Sequence, residues 1–380
     1  MLVVLAGVVA FATVAPFRAA VRTVAVLPEL LELPVRPLSA LTPEPQRTAT
    51  TYGADRPDPL HVYVPADLRP GDRRGAVVLS LGIHPQPLDH PDVVRIASAI
   101  SRVGVIVAVP DSSDLRASRI TADEPHHLAE AVVAIAGRPD VDPSRIGLAG
   151  FSAGASMALI ASADPLIAGR LSFVHGFGAY ASAEVLLIDV ATRTMADGAG
   201  VSPWSAEPGI RGDILDLLLA AIEEADQSAD TGRLRTLLAP VVAAEAPPDG
   251  PDPAVAATLE DDSSAAYRLF TARSRADARA ALRAASASLR EHLAAISPLT
   301  VAGRLRSEVH LMHGLGDRAI PVTHAGMLQD AIPPAVLRRV TLFGRFVHEQ
   351  PGRQGLGLED VPDIWELFLH LEGLAERVAA

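Results

Sequence analysis

The chain has 380 residues, 49% of them hydrophobic, so it can bury a large core and is not a disordered segment. Its formal net charge of -12 argues against nucleic acid as a partner, because phosphates demand a basic surface. The complete absence of cysteine excludes disulfides, thiolate catalysis and cysteine-ligated zinc.

Residues 1–17 carry no charged side chain; Arg18 and Arg22 then interrupt, and Val24–Leu27 is apolar again. A spanning helix needs at least about 17 apolar residues, so residues 1–27 are expected to form a membrane anchor. A cleaved signal, with Ala10-Phe11-Ala12 as a weak cleavage site, and a helix buried in the fold are the alternatives. The arginines after the apolar run favour an inside location for the domain behind them, but a different start would reverse that, so the side stays open. Residues 28–50 contain Pro28, Pro34, Pro37, Pro43 and Pro45 and read as a linker.

From residue 51 to 380 the pattern is that of one α/β domain, with apolar runs of strand length alternating with amphipathic stretches. Strands are expected at 76–81, 105–109 and 146–149, with a fourth starting at 171–174. Helices are expected at 124–136 and 153–162. Between about 182 and 296 the alternation stops, and the segment reads as a helical insertion without a convincing strand. Its Pro-rich tract, 246–253, reads as a flexible loop. Strand 309–312, helix 323–331, strand 340–343 and a closing helix with Ile364, Leu367, Phe368, Leu371 and Leu374 complete the pattern. The fold class is therefore a mostly parallel, doubly wound sheet with a helical cap insertion and an N-terminal apolar helix.

The chemistry centres on Gly150-Phe151-Ser152-Ala153-Gly154, a G-x-S-x-G motif where a buried strand gives way to a small-residue helix. Such a turn strains the serine backbone, and Gly150 and Gly154 relieve the crowding on either side. The helix N-terminus then adds amide donors beside a developing oxyanion. A serine nucleophile needs a base, and the base an orienting carboxylate. The order Ser, acid, His is met by Asp317, in the Gly-rich turn after strand 309–312, and His348, just past strand 340–343. His324 lies too near Asp317, and His370 falls off the apolar face of the last helix. Asp111 reads as a loop-anchoring carboxylate, and Asp111 and Asp189 are the acids to consider should Asp317 fail. The oxyanion donors are expected to be the N–H groups of Ala153 and Ile83, with His84 as the alternative to Ile83. The contrary reading is a Gly-rich turn with an incidental serine.

These residues resemble the α/β-hydrolase superfamily, most closely its dienelactone-hydrolase-like and prolyl-oligopeptidase-like branches. The resemblance rests on Val105-Ile-Val-Ala-Val-Pro-Asp111, Val141-Asp-Pro-Ser-Arg-Ile146 leading into Gly150–Gly154, His313-Gly-Leu-Gly-Asp317 with Ile320-Pro321, and His348-Glu349. It covers about 76–182 and 297–378 and leaves out the N-terminus and the insertion. Dienelactone hydrolases use a cysteine nucleophile, which this chain lacks, so dienelactone itself is a doubtful substrate. A serine nucleophile suits esters, thioesters and amides, and hydrolysis of a small-molecule ester or thioester through an acyl-enzyme is the first expectation. No metal cluster, phosphate loop or dinucleotide fingerprint appears in the sequence, so no cofactor and no metal are expected. A peptidase or acyltransferase on the same fold, and a non-catalytic membrane-tethered binding protein, are the competing readings. No β-propeller precedes the domain, which argues against an oligopeptidase of the usual two-domain build.

Overall fold

The computed structural model describes residues 14–83, 88–226, 229–259, 261–344, 346–347, 350–351 and 358–378. Eight strands form the central sheet: β1 (Gln46–Tyr52), β2 (Asp58–Val64), β3 (Arg74–Ser80), β4 (Ile106–Pro110), β5 (Val141–Phe151), β6 (Phe173–Phe177), β7 (Glu308–Gly314) and β8 (Leu337–Phe343). Their order across the sheet is β1-β2-β4-β3-β5-β6-β7-β8. β1 pairs antiparallel with β2, and β2 antiparallel with β4. All pairings from β4 to β8 are parallel. The central strands are covered on both faces, which is why β4 and β6 read as unbroken buried runs.

Helices α1 (Ala15–Leu30), α2 (Pro37–Leu41), α3 (Pro91–Arg102), α4 (Glu124–Ala136) and α5 (Ala153–Ala161) flank the first half of the chain. The insertion between β6 and β7 supplies α6 (Ala183–Thr192), α7 (Pro208–Ala225), α8 (Thr231–Ala243), α9 (Asp261–Phe270), α10 (Arg275–Arg283) and α11 (Ala287–Ala295). Helices α12 (Thr323–Ala331) and α13 (Val361–Val378) complete the set used below. One sheet face, with Val78, Leu148, Val174 and Val309, shares a single apolar cluster with α4 and α5. The other face, with Val77, Leu79, Ala149 and Phe173, packs against α3 and α13.

The insertion belongs to the first cluster: Leu187, Leu218, Leu234, Leu269 and Leu289 are buried in it. Hydrogen bonds stitch it to the body, from the Tyr180 hydroxyl to the Ile296 carbonyl (2.9 Å) and from the Ala183 amide to Ser297 Oγ (2.9 Å). Contrary to expectation it also holds a two-stranded hairpin, Thr194–Asp197 with Gly200–Pro203. These strands are short and mostly exposed, so they leave no buried alternation to read. The 246–253 tract is likewise held: Arg273 donates to the Asp249 carbonyl, and the Asp252 amide donates to the Tyr267 hydroxyl at 3.3 Å.

Two N-terminal expectations need correction. The described part of residues 1–27 is not an apolar membrane-crossing rod but the amphipathic helix α1, docked on α13 and α3. It buries Ala19, Thr23, Val26 and Leu27. Among the described residues no helix is long and apolar enough to cross a membrane; residues 1–13 lie outside them. Residues 28–50 are not a free linker, because they contain the end of α1, all of α2 and the start of β1. Proline density misleads here. Pro37 opens α2, a position that needs no amide donor, and buried Glu29 accepts the Ser39 amide at 2.8 Å.

Candidate active site

Ser152 occupies the turn between β5 and α5 with φ 53° and ψ -128°, a backbone conformation that L residues avoid at a cost of about 1–3 kcal/mol. The surroundings hold it there. Its amide donates to the Phe177 carbonyl on β6 (2.8 Å), and its carbonyl accepts the Ala155 amide (3.0 Å). A methyl group added at Gly150 would lie 2.4 Å from the Gly154 carbonyl oxygen, and one at Gly154 would lie 2.2 Å from the Leu81 carbonyl oxygen. Both contacts are with backbone, which cannot swing away. Gly154→Ala is therefore expected to lose on the order of 2 kcal/mol or more of stability in urea denaturation. An unchanged midpoint would mean that the end of β3 yields.

The loop after β3 meets the serine from the other side. A methyl group added at Gly82 would stand 2.9 Å from Ser152 Cβ and 3.5 Å from its Oγ. Sequence reasoning does not single out Gly82; a glycine between a buried strand and a proline-bearing loop is its only trace. Ile83, the next residue, is half-buried against the core. Ala153 is the first residue of α5, so its N–H has no intrahelical acceptor and points out of the positive end of the helix. His84 lies outside the described residues.

Asp317 is buried in the turn after β7. One carboxylate oxygen accepts the amides of Ala319 (2.7 Å) and Ile320 (2.9 Å), which fixes the carboxylate plane. His313 Nε2 lies 3.4 Å from its other oxygen but donates to the Ile320 carbonyl at 2.9 Å. That nitrogen carries a proton and cannot accept one from a serine. Phe177 pairs with Met312 across β6 and β7, so the serine turn and the strand leading to Asp317 end at the same edge of the sheet. His348 lies outside the described residues. Phe346–Val347, immediately before it, pairs antiparallel with Gln350–Pro351 and packs beside β7. The Leu315 amide also donates to the Phe343 carbonyl at 2.7 Å, tying the acid turn to the strand that leads to His348.

The other candidates are engaged elsewhere. Asp111 pairs with Arg116 (3.1 Å) and its carbonyl accepts the Tyr52 hydroxyl (2.5 Å). Asp189 is fully buried between Arg275 (2.5 Å) and His324 Nε2 (3.2 Å), while His324 Nδ1 accepts the Ala181 amide (2.9 Å). This cluster fastens the insertion to α12 and leaves neither His324 nitrogen for catalysis. His370 does not fall off the apolar face of α13. It is fully buried against the sheet, with its ring 5.1 Å from that of His175 and 5.7 Å from that of His310. Burial pushes His175 down to about 3 and His310 to about 4, and His370 falls well below its ordinary value for the same reason. All three are neutral imidazoles on the face away from the insertion. Among the described residues no group of three or more His, Asp or Glu is arranged to hold a metal ion.

The insertion borders the site at residues 204–207. Trp204 Nε1 donates to the Asp317 carbonyl at 2.9 Å, and the Glu207 amide donates to the Arg318 carbonyl at 3.2 Å.

The strand order, the strained serine between β5 and α5 and the placement of Asp317 after β7 define an α/β-hydrolase fold. Several solved hydrolase structures are similar to this chain in fold. A puromycin-hydrolyzing peptidase of Mycobacterium tuberculosis is 14% identical with a TM-score of 0.50, over 87% of this chain and 39% of that one. Dipeptidyl peptidase 4 of Porphyromonas gingivalis is 13% identical with a TM-score of 0.47, over 86% and 35%. A Klebsiella pneumoniae protein described as a dienelactone hydrolase is 11% identical with a TM-score of 0.44, over 86% and 98%. This chain thus spans little more than a third of the two peptidases. No protein-family model matches the chain, and no curated protein matches its sequence.

Proposed function

We propose that the chain is a serine hydrolase that cleaves a carboxylic ester or thioester through an acyl-enzyme. The observation that carries this reading is Ser152 itself, a non-glycine residue held at positive φ at a strand–helix turn, with the backbone of Gly82 against its side chain. In this reading His348 takes the hydroxyl proton as Ser152 Oγ attacks the carbonyl carbon. The amides of Ala153 and Ile83 hold the oxyanion, and collapse expels the alcohol or thiol with the proton from His348. Water then repeats the sequence, His348 again acting as base, to release the acid and regenerate Ser152. Asp317 orients His348 and balances its charge. The contact of Trp204 with the Asp317 turn supports a role for the insertion in shaping the acyl pocket.

A panel of p-nitrophenyl esters of increasing chain length, run beside aminoacyl p-nitroanilides, tests the substrate class. Ester turnover that depends on Ser152, with no anilide turnover, is the expected result. Preferential anilide turnover would favour a peptidase, the activity named for two of the similar structures.

A membrane surface is part of the same proposal. Val14, Phe17, Val21 and Val24 recur at helical spacing and are 40–60% exposed on the outer side of α1. Flotation of the full chain with phosphatidylcholine vesicles is expected, and Phe17→Asp with Val21→Asp is expected to reduce it at least several-fold. Equal flotation of the variant would remove this surface from the proposal.

A further inference from the structure

A cavity of about 200 Å³ lies on the sheet face away from the insertion, between the strands and the helices α1, α3 and α13. It is larger than the ~150 Å³ engineered apolar cavity that stays dry and admits benzene. Its floor crosses the sheet: Val105, just before β4, Leu79 of β3, Ala149 of β5 and Met312 of β7 all line it. Those strands and β6 are successive neighbours, so the floor covers four interstrand spacings, roughly 19 Å at ~4.8 Å each. Leu30 of α1 and Leu371 of α13 belong to the roof. So modest a volume drawn out over that length fits one aliphatic chain better than a ring system.

Three polar side chains, those of Arg22, Thr23 and His175, interrupt the apolar lining. Thr23 of α1 is 1% exposed and His175 of β6 is 5% exposed. Thr23 and His175 are both among the lining residues, and neither Thr23 Oγ1 nor His175 Nε2 has a hydrogen-bond partner among the described residues. Buried polar atoms are nearly always satisfied, and an orphaned one in a residue beside a cavity is a candidate partner for a ligand's polar atom. The half-buried guanidinium of Arg22 stands beside Thr23 in the same lining.

We infer that this cavity is a second ligand site, distinct from the Ser152 centre, that takes a single-chain aliphatic alcohol or acid. The head group hydrogen-bonds Thr23 near Arg22, and the tail runs across the sheet beneath α1 and α13. Phe151 and Phe177 separate it from the serine, because both rings face this cavity while Ser152 Oγ faces Gly82. A ligand here would bind under α1, the helix with the exposed apolar stripe, and would stabilise its docking.

The test is direct binding of n-decanol and of decanoate to the full chain, treated with cyclodextrin to remove bound lipid and followed by calorimetry and thermal unfolding. One molecule per chain with a raised Tm is expected, unchanged after Ser152 is blocked with a fluorophosphonate. Leu371→Trp, which fills the roof, is expected to weaken binding at least tenfold. Thr23→Val, close in shape, is expected to weaken it several-fold without altering ester turnover. Should Leu371→Trp fail to fold, Thr23→Val carries the test alone. Absence of saturable binding, loss of binding on blocking Ser152, or wild-type affinity in the folded variants would each overturn the inference. Binding is read without turnover, so a chain that proves catalytically inert leaves this result standing.

Discussion

Ser152→Ala is expected to lower kcat for ester hydrolysis by about 10³-fold or more while the protein stays folded. The substitution removes one hydroxyl and leaves the backbone contacts of the turn in place. The Ser152 amide still donates to Phe177, and Gly150 and Gly154 still admit their backbone neighbours. Alanine holds the same positive φ no more comfortably than serine, so the strain is unchanged. A matching circular-dichroism spectrum and Tm alongside lost turnover is the predicted pair. Retained turnover in a folded variant would remove Ser152 from the mechanism.

Acid is expected to destabilise the protein steeply between pH 7 and pH 5, through the buried histidines rather than through the active site. His175 and His310 titrate in the folded protein only near 3 and 4 because burial disfavours their charged forms, and His370 behaves likewise. In the unfolded chain the same groups titrate near 6.5. A depressed folded pKa means that the unfolded state binds protons first. Stability from this source is therefore intact above about 6.5 and falls as pH drops toward 3. At pH 5 His175 and His310 each forfeit about 2 kcal/mol, about 4 kcal/mol together, against a whole-domain stability of ~5–15 kcal/mol, and His370 acts in the same direction. Urea midpoints measured from pH 7.5 to 5 should fall sharply in the wild type. His175→Leu with His310→Leu should flatten the decline even if it lowers stability at pH 7.5. Parallel curves for the two proteins would place the acid sensitivity elsewhere.

The parts of the molecule legible in the sequence are those where burial leaves a periodic or steric mark. Strands β3 to β7 are covered on both faces and therefore read as apolar runs, and the turn at Ser152 is framed by glycines whose neighbours leave no room for a side chain. β1 leaves no such mark because six of its seven residues are exposed. An apolar run looks the same whether lipid or protein covers it, and the docked face of α1 shows protein cover only for the described residues from 14 onward. His370 stands one helical turn after Leu367 and shares its buried side, but a histidine carries no apolar signal. Gly82 is silent for a related reason: a close approach of backbone to the serine leaves only a glycine behind. The insertion's helices are readable from their spacing, whereas the reach of Trp204 to the Asp317 turn is a tertiary contact with no local signature.

The most direct measurement is the site of covalent labelling by a fluorophosphonate on the full chain, mapped by peptide mass spectrometry. A Ser152 nucleophile predicts stoichiometric modification at that residue with loss of ester turnover in step. It further predicts that His348→Ala slows labelling by about 10²-fold or more, because a general base contributes that much. No labelling of the folded chain, or stoichiometric labelling at a different residue, would contradict it.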